Sequence, residues 1–241
     1  MKPRFISDIH LSENNPHLTD AFKVFLNESK EACTHLFILG DLFEIWIGDD
    51  DDNSFIQDIK ETFIDFTLDG PETYLMHGNR DFLIGETFAK EVGISILSDP
   101  YTLDINGMKV TLSHGDFLCT DDSDYIEFRN KVRSEVWKKD FLSKSINERN
   151  EIANSLRSDS KDATSAKSLE ITDVNLETVN NFIQENKPDI FIHGHTHRPN
   201  IHKNDLCTRI VLGDWDTNGW YILINNVNYE LKKFPISKSG I

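Results

Sequence analysis

The chain has 241 residues, with 38% hydrophobic content that includes 16 Phe and 4 Trp, enough for one full α/β domain with an insertion or for two small domains. A net charge of −16 excludes general nucleic-acid binding, which needs a basic footprint to displace counterions. The three cysteines (Cys33, Cys119, Cys207) are odd in number and lack C-x-x-C spacing, so they read as reduced thiols in a reducing compartment.

In chain order, Arg4 to Ile9 reads as a short strand ending in Asp8-Ile9-His10. The residues before it hold no signal-peptide core of roughly 7–15 apolar residues. Nor does any run of about 18 apolar residues follow, so the expectation is a protein that does not span a bilayer, with peripheral membrane contact left open. Leu18, Ala21, Phe22, Phe25 and Leu26 recur at helical spacing behind Asn15-Pro16, an N-cap and N1 pair. The apolar run Leu36 to Leu39 then stops at Gly40-Asp41, a carboxylate among apolar residues. Unpaired and buried, such a charge costs several kcal/mol or more, so it calls for a cation. The acidic tract Asp49 to Asp52 reads as a solvated loop. A helix with Phe55, Ile56, Ile59, Phe63 and Phe66 on one face follows it. Thr73 to Met76 reads as a strand ending in His77-Gly-Asn-Arg-Asp81, and a short helix carrying Phe82, Leu83, Phe88 and Val92 closes at Gly93. Lys109 to Ser113 is a strand ending in His114-Gly-Asp116.

From Asp121 to Glu170 the chain is polar, nearly free of Gly and Pro, and helical in pattern. It divides the molecule into a core (1–120 and 171–241) and an insertion (121–170). Beyond a helix from Val174 to Asn186, the strand Ile190 to Ile192 ends in His193-Gly-His-Thr-His197. The tail reads as antiparallel strands, Arg209 to Leu212, Trp220 to Ile224 and Tyr229 to Phe234, with an Asn-rich turn at Asn225-Asn226.

Five strands therefore end in clusters of metal-ligand types: Asp8/His10, Asp41, Asn79 with Arg80 and Asp81, His114, and His195/His197. In α/β folds such loops line one edge of the sheet, where ligands bind. Gly40, Gly78 and Gly194 each precede a candidate and allow sharp turns and close backbone approach. Carboxylates, imidazoles and an amide without a thiolate suit Mn²⁺, Fe²⁺, Zn²⁺ or Mg²⁺, and the blend leans towards Mn²⁺ or Fe²⁺. Seven donors exceed what one octahedral ion with a water can use, and fit two ions about 3.5–4 Å apart that share a carboxylate. His17, His35 and His202 lack this context, and His77 and His193 read as packing beneath the site.

The order Asp-x-His, Gly-Asp, Gly-Asn-Arg-Asp, His-Gly-Asp, Gly-His-x-His resembles the calcineurin-like metallophosphoesterase superfamily. That resemblance implies an α/β/β/α sandwich of two mixed sheets with a binuclear centre. Carried over, Asp8, His10, Asp41 and His197 hold one metal, and Asp41, Asn79, His114 and His195 the other. Longer stretches are similar to the bacterial UDP-2,3-diacylglucosamine pyrophosphatase family of lipid A synthesis: Gly40 to Asp51, His77 to Leu83, Leu118 to Asp122, Ser160 to Ser168 and His195 to Pro199. They imply water attack at the α-phosphorus of UDP-2,3-diacylglucosamine, giving UMP and 2,3-diacylglucosamine 1-phosphate. They also imply two Mn²⁺ per chain, peripheral residence on the cytoplasmic face of the bacterial inner membrane and no obligate protein partner. The implied substrate contacts are Asn79, Arg80, Asp122, Ser160, position 164, Lys167 and His195. Position 164 is Asn in that family and Thr164 here, so its contact loses the amide's paired donor and acceptor.

The residues themselves support the chemistry. The Arg80 fork matches phosphate oxygens, and a phosphate leaving group with pKa about 6 hardly needs an acid, although His10 or His195 could supply a proton. Between Arg129 and Lys167, ten basic side chains face six acidic ones, a net of +4. The insertion then reads either as an ordinary solvated hairpin or as a lid. In the lid, Phe128, Val132, Trp137, Phe141, Leu142 and Ile146 sheathe acyl chains while the basic side meets anionic lipid. The competing functions are a metallophosphoesterase acting on a soluble nucleotide or dinucleoside polyphosphate, and a non-catalytic scaffold of the same fold.

Overall fold

The computed structural model describes residues 1–168 and 171–237, and of residues 161–166 the backbone alone. Strand Pro3–Ile6 (β1) leads to helix Pro16–Lys30 (α1), which Pro16 opens; the Asn15 side chain makes no capping bond. Strand His35–Leu39 (β2) precedes helix Ser54–Thr67 (α2), capped by Asn53 Oδ1 accepting the Ile56 N–H at 2.9 Å. Strand Glu72–Met76 (β3) is followed by helix Glu86–Glu91 (α3), which is shorter than expected. Phe82 and Leu83 lie in the preceding turn, and the helix starts only where Asp49 accepts the Gly85 and Phe88 N–H groups at 2.8 and 3.0 Å. Gly93, at φ +72°, ends it in the left-handed region. Two strands the sequence conceals come next, Ser95–Leu97 (β4) and Tyr101–Ile105 (β5), both short, half-exposed sheet edges.

Strand Met108–Ser113 (β6) leads into three helices, Ser123–Val132 (α4), Glu135–Leu142 (α5) and Ile146–Ala166 (α6). The insertion is thus not a hairpin. Ser134 breaks it and caps α5 by accepting the Trp137 N–H. Helix Leu176–Asn186 (α7), strand Ile190–His193 (β7), strand Asn200–Lys203 (β8) and strand Thr208–Val211 (β9) follow. Strands Asn218–Asn225 (β10) and Asn228–Pro235 (β11) form a hairpin whose tip holds Asn226 at φ +55°. The expected antiparallel tail needs one correction: β9 runs parallel to β7 and antiparallel to β8, in a different sheet from the hairpin. A strand of four residues carries no information about which neighbour it will pair with.

The sheets have strand orders β11-β10-β1-β2-β3-β4 and β5-β6-β7-β9-β8, each mixing parallel and antiparallel pairs. Side-chain alternation builds the layers. In β2, Leu36 and Ile38 join the apolar layer under α1 and α2, whereas Phe37 and Leu39 join the layer between the sheets. In β7, Ile190 and Ile192 face the other sheet, whereas Phe191 meets Val179 and Ile183 of α7. The result is an α/β/β/α sandwich. Because β1, β2 and β3 run parallel, as do β6 and β7, their carboxyl ends deliver all five polar clusters to one edge.

The insertion is not loosely attached. Phe141 is buried, and Trp137, Ile146, Ile152 and Ala153 pack on the core beneath α1–α3. Its arginines correct the expected basic outer side. Arg149 is buried, donating to Ile47 O at 2.7 Å and pairing with Asp50, while Arg129 and Arg133 pair with buried Asp116. The acidic tract is the expected loop, with Asp50 and Asp52 exposed, but it also has structural partners: Asp49 caps α3 and Asp50 pairs with Arg149 of α6.

Candidate metal centre

The seven expected ligands converge. Asp8, His10 and His197 form one compact group, and Asp8, Asp41 and His114 another. His197 Nε2 lies 3.4 Å from both His10 Nε2 and Asp8 Oδ1. Asn79 Oδ1 lies 3.0 Å from His114 Nε2 and 2.9 Å from His195 Nδ1. Asp41 sits between, with Oδ2 at 4.0 Å from His10 Nε2 and Oδ1 at 3.8 Å from His114 Nε2. Donor atoms about 3 Å apart match the edge of a coordination shell with bonds of about 2.1 Å. Oxygen and imidazole donors without thiolate fit hard or borderline divalent cations.

The local backbone is bent to achieve this. Asp8 (φ +54°), His10 (+56°), Asp41 (+53°), His195 (+69°) and His197 (+56°) all occupy the left-handed region, which non-glycine residues seldom visit and which concentrates at functional sites. Close approach explains the glycines: a Cβ on Gly78 would lie 2.0 Å from Asp41 Oδ1, and one on Gly194 2.2 Å from Asp8 Oδ2.

A second layer aims the ligands. His114 Nδ1–H donates to Leu39 O at 2.9 Å, leaving Nε2 free for a cation. Asp8 accepts from Ser7 Oγ and from the His195 N–H. His193, expected beneath the site, is buried there with Nε2 3.1 Å from Arg209, and half-buried His77 bonds Ile84 O. Sequence reasoning assigned no role to Asp81, Asp116 or Glu44. Asp81 is fully buried and accepts four backbone N–H groups from the loops carrying Asp41 and Asn79. Asp116 Oδ2 accepts from Tyr125, Arg129 and Arg133, and Arg133 also donates to Gly78 O at 2.9 Å, so α4 is pinned over the site. Asp81 and Asp116 carry one signal, each being the carboxylate that closes a ligand cluster.

Arg80 has no ion-pair partner among the described residues and faces a cleft of about 370 Å³ lined by His10, Asp41, Asn79, Tyr125, Ser160 and His195. Asp122 and Ser160 line the same cleft; Lys167 pairs with Asp122 at 2.6 Å. The Thr164 side chain lies outside the described residues. Asn79, Arg80, Tyr125 and Ser160 also line a narrow second cavity of about 90 Å³ between the insertion and the core, with Trp46, Phe82, Phe128, Val132, Trp137 and Phe141. Polar and apolar spaces thus adjoin.

Electrostatics sort the imidazoles. Burial and the neighbouring His114 push His195 down to about 4, leaving it neutral at pH 7. Burial opposes the protonation of His197, but the bond and charge of Asp8 prevail and raise it to about 9. A cation needs the neutral imidazole, so at pH 7 its binding must expel the His197 proton. Mn²⁺ titration calorimetry in buffers of different ionisation enthalpy should register at least one proton released at pH 7, since, against burial, the charges of Asp41 and Asp8 raise His114 as well. Affinity should fall about tenfold or more per pH unit below about pH 9. Proton-neutral, pH-independent binding would exclude His197 from the shell.

The family Calcineurin-like phosphoesterase matches residues 1–199. The UDP-2,3-diacylglucosamine hydrolase of Vibrio atlanticus (strain LGP32) is 44% identical over 242 residues, covering 98% of this chain and 99% of that protein. That of Haemophilus influenzae (strain PittGG) is 44% identical over 214 residues, covering 89% and 90%. A solved structure of a novel archaeal phosphodiesterase superposes with a TM-score of 0.50 at 14% identity, covering 97% of this chain and 100% of that one, a likeness of fold.

Proposed function

We propose, from the premise that this chain belongs to the calcineurin-like phosphoesterase family, that it hydrolyses the pyrophosphate bond of UDP-2,3-diacylglucosamine, the molecule its full-length relatives are named for. The observation that carries this reading is the shared wall between the metal cleft and the apolar cavity: Asn79, Arg80, Tyr125 and Ser160 line both. A phosphoester joined to acyl chains needs that juxtaposition, and a soluble nucleotide does not.

Two Mn²⁺ ions, held by Asp8, His10 and His197 on one side and Asn79, His114 and His195 on the other with Asp41 between, would supply an acidified water and neutralise phosphoryl charge. The water oxygen bonds to the α-phosphorus, and the bond from that phosphorus to the bridging oxygen breaks. Its electron pair goes to the departing phosphate, and the water's protons pass to solvent. The products are UMP and 2,3-diacylglucosamine 1-phosphate. Arg80 places its fork against phosphoryl oxygens as charge accumulates there. The departing phosphate is a weak base and hardly needs an acid, and His10, with Nε2 on the metal side and Nδ1 beside Glu44, has no proton free to give it. Ser160 and Asp122, which line the metal cleft, and Lys167, paired with Asp122, would hold the sugar, and the insertion would act as the lid over the acyl chains.

No helix among the described residues is long and apolar enough to cross a membrane. Helix α5 presents Val136 at 82% exposure, three residues before exposed Lys139, which suits peripheral docking on the anionic cytoplasmic face of the inner membrane.

Each buried CH₂ contributes about 0.8 kcal/mol, so a few methylenes in the cavity should favour the lipid by about 100-fold. Purified Mn²⁺-loaded protein should release UMP from UDP-2,3-diacylglucosamine with at least that advantage in kcat/KM over simple nucleotides. Equal rates on both would overturn the lipid substrate.

A further inference from the structure

We propose that Glu44 is a positioning residue for His10 and that Arg157, on α6 of the insertion, holds Glu44 in place, tying the lid to one half of the metal centre. The inference rests on the reading of Asp8, His10 and His197 as metal ligands.

Glu44 Oε2 lies 2.8 Å from His10 Nδ1, the ring atom pointing away from His197 and Asp41, which are approached by Nε2. A histidine that ligates through one nitrogen needs an acceptor at the other to set its tautomer and ring plane. Buried Nδ1 makes no hydrogen bond among the described residues, so Glu44 at 2.8 Å is the acceptor with which a small turn of the imidazole would complete one. Glu44 is well placed to receive it. Its N–H donates to Leu11 O at 3.0 Å, and Leu11 is bridged to Phe43, which clamps the chain just beyond His10. The Glu44 side chain is 15% exposed and lines the apolar cavity rather than the metal cleft, so it is placed behind the ligand and not among the ligands. Arg157 closes the arrangement, pairing with the Glu44 carboxylate and reaching Glu44 O at 3.4 Å. Arg157 also lines the apolar cavity, so a single side chain borders both the space for the lipid and the support of a metal ligand.

The test is titration of metal-stripped full chain with Mn²⁺ alone, followed by calorimetry. Wild type should take up two ions; fewer would overturn the binuclear centre itself. With two wild-type sites established, Glu44→Ala should weaken one site by about 10–100-fold and leave the other within about threefold. Glu44→Gln retains an acceptor oxygen and should recover part of the loss. Arg157→Ala should weaken the same site by a smaller factor, and Glu44→Ala should add nothing further in a His10→Ala background. Unchanged binding in Glu44→Ala, or equal weakening of both sites, would overturn the positioning role. Unchanged binding in Arg157→Ala would overturn the link to the lid.

Discussion

Asp41→Ala is expected to lower kcat by at least about 10³-fold, equivalent to about 4 kcal/mol, and to reduce bound metal at both positions of the centre. Asp41 is 2% exposed and offers one oxygen to each half, Oδ2 towards His10 and Oδ1 towards His114. Among the described ligand candidates, the Asn79 side chain bonds His114 and His195. Asn79→Ala therefore leaves the other half intact and should be milder by at least about tenfold. Asp41→Asn is the folded control, because asparagine tolerates the left-handed φ of +53° that alanine resists by about 1–2 kcal/mol. Steady-state rates together with metal content per chain decide the matter. Equal losses in Asp41→Ala and Asn79→Ala would show that Asp41 serves one ion only.

Strand ends were the legible part of this site. A glycine or a short polar pair cutting off an apolar run marks a place where the chain must turn and a charge must be met, and Asp8, Asp41, Asn79, His114 and His195 each lie at such a stop. The alternation that fills both faces of β2 and β7 made a buried two-sided sheet readable as well. Illegible were the features set by partners distant in sequence. Asp50 is 63% exposed, as its loop implies, but its pairing with Arg149, 99 residues away, leaves no local sequence signal. The +4 charge between Arg129 and Lys167 suggested a basic surface because a count of charges cannot tell an arginine facing lipid from one facing Asp116 or Glu44. The edge strands β4 and β5 escaped for the opposite reason: half-exposed edges do not need the apolar pattern that betrays a central strand.

Asp81→Ala is expected to cost roughly 3–5 kcal/mol of stability and most of the activity. Its Oδ1 accepts from Gly78 N at 2.8 Å and Asp41 N at 3.3 Å, and its Oδ2 from Leu42 N at 2.7 Å and Phe43 N at 3.4 Å. Alanine would leave these donors buried without their acceptor, at about 1–3 kcal/mol for each one lost outright, and would release the two loops that aim Asp41 and Asn79. Asp81→Asn keeps the shape but turns an N–H₂ against one pair of donors, so it should fail in the same direction to a smaller extent. Burial and then the adjacent Asp41 raise the Asp81 carboxyl to about 6. A carboxyl raised on folding holds its proton in the folded chain after the unfolded chain has lost it, so this term disfavours the native state as pH climbs from about 4 to 6. The amide lacks that term. In chelator, the stability gap between wild type and Asp81→Asn should therefore narrow between pH 4 and 6.5, read from urea midpoints at each pH. A gap that stays constant across that interval would show that Asp81 does not titrate against Asp41, and a gap near zero throughout would show that the four N–H groups do not depend on it.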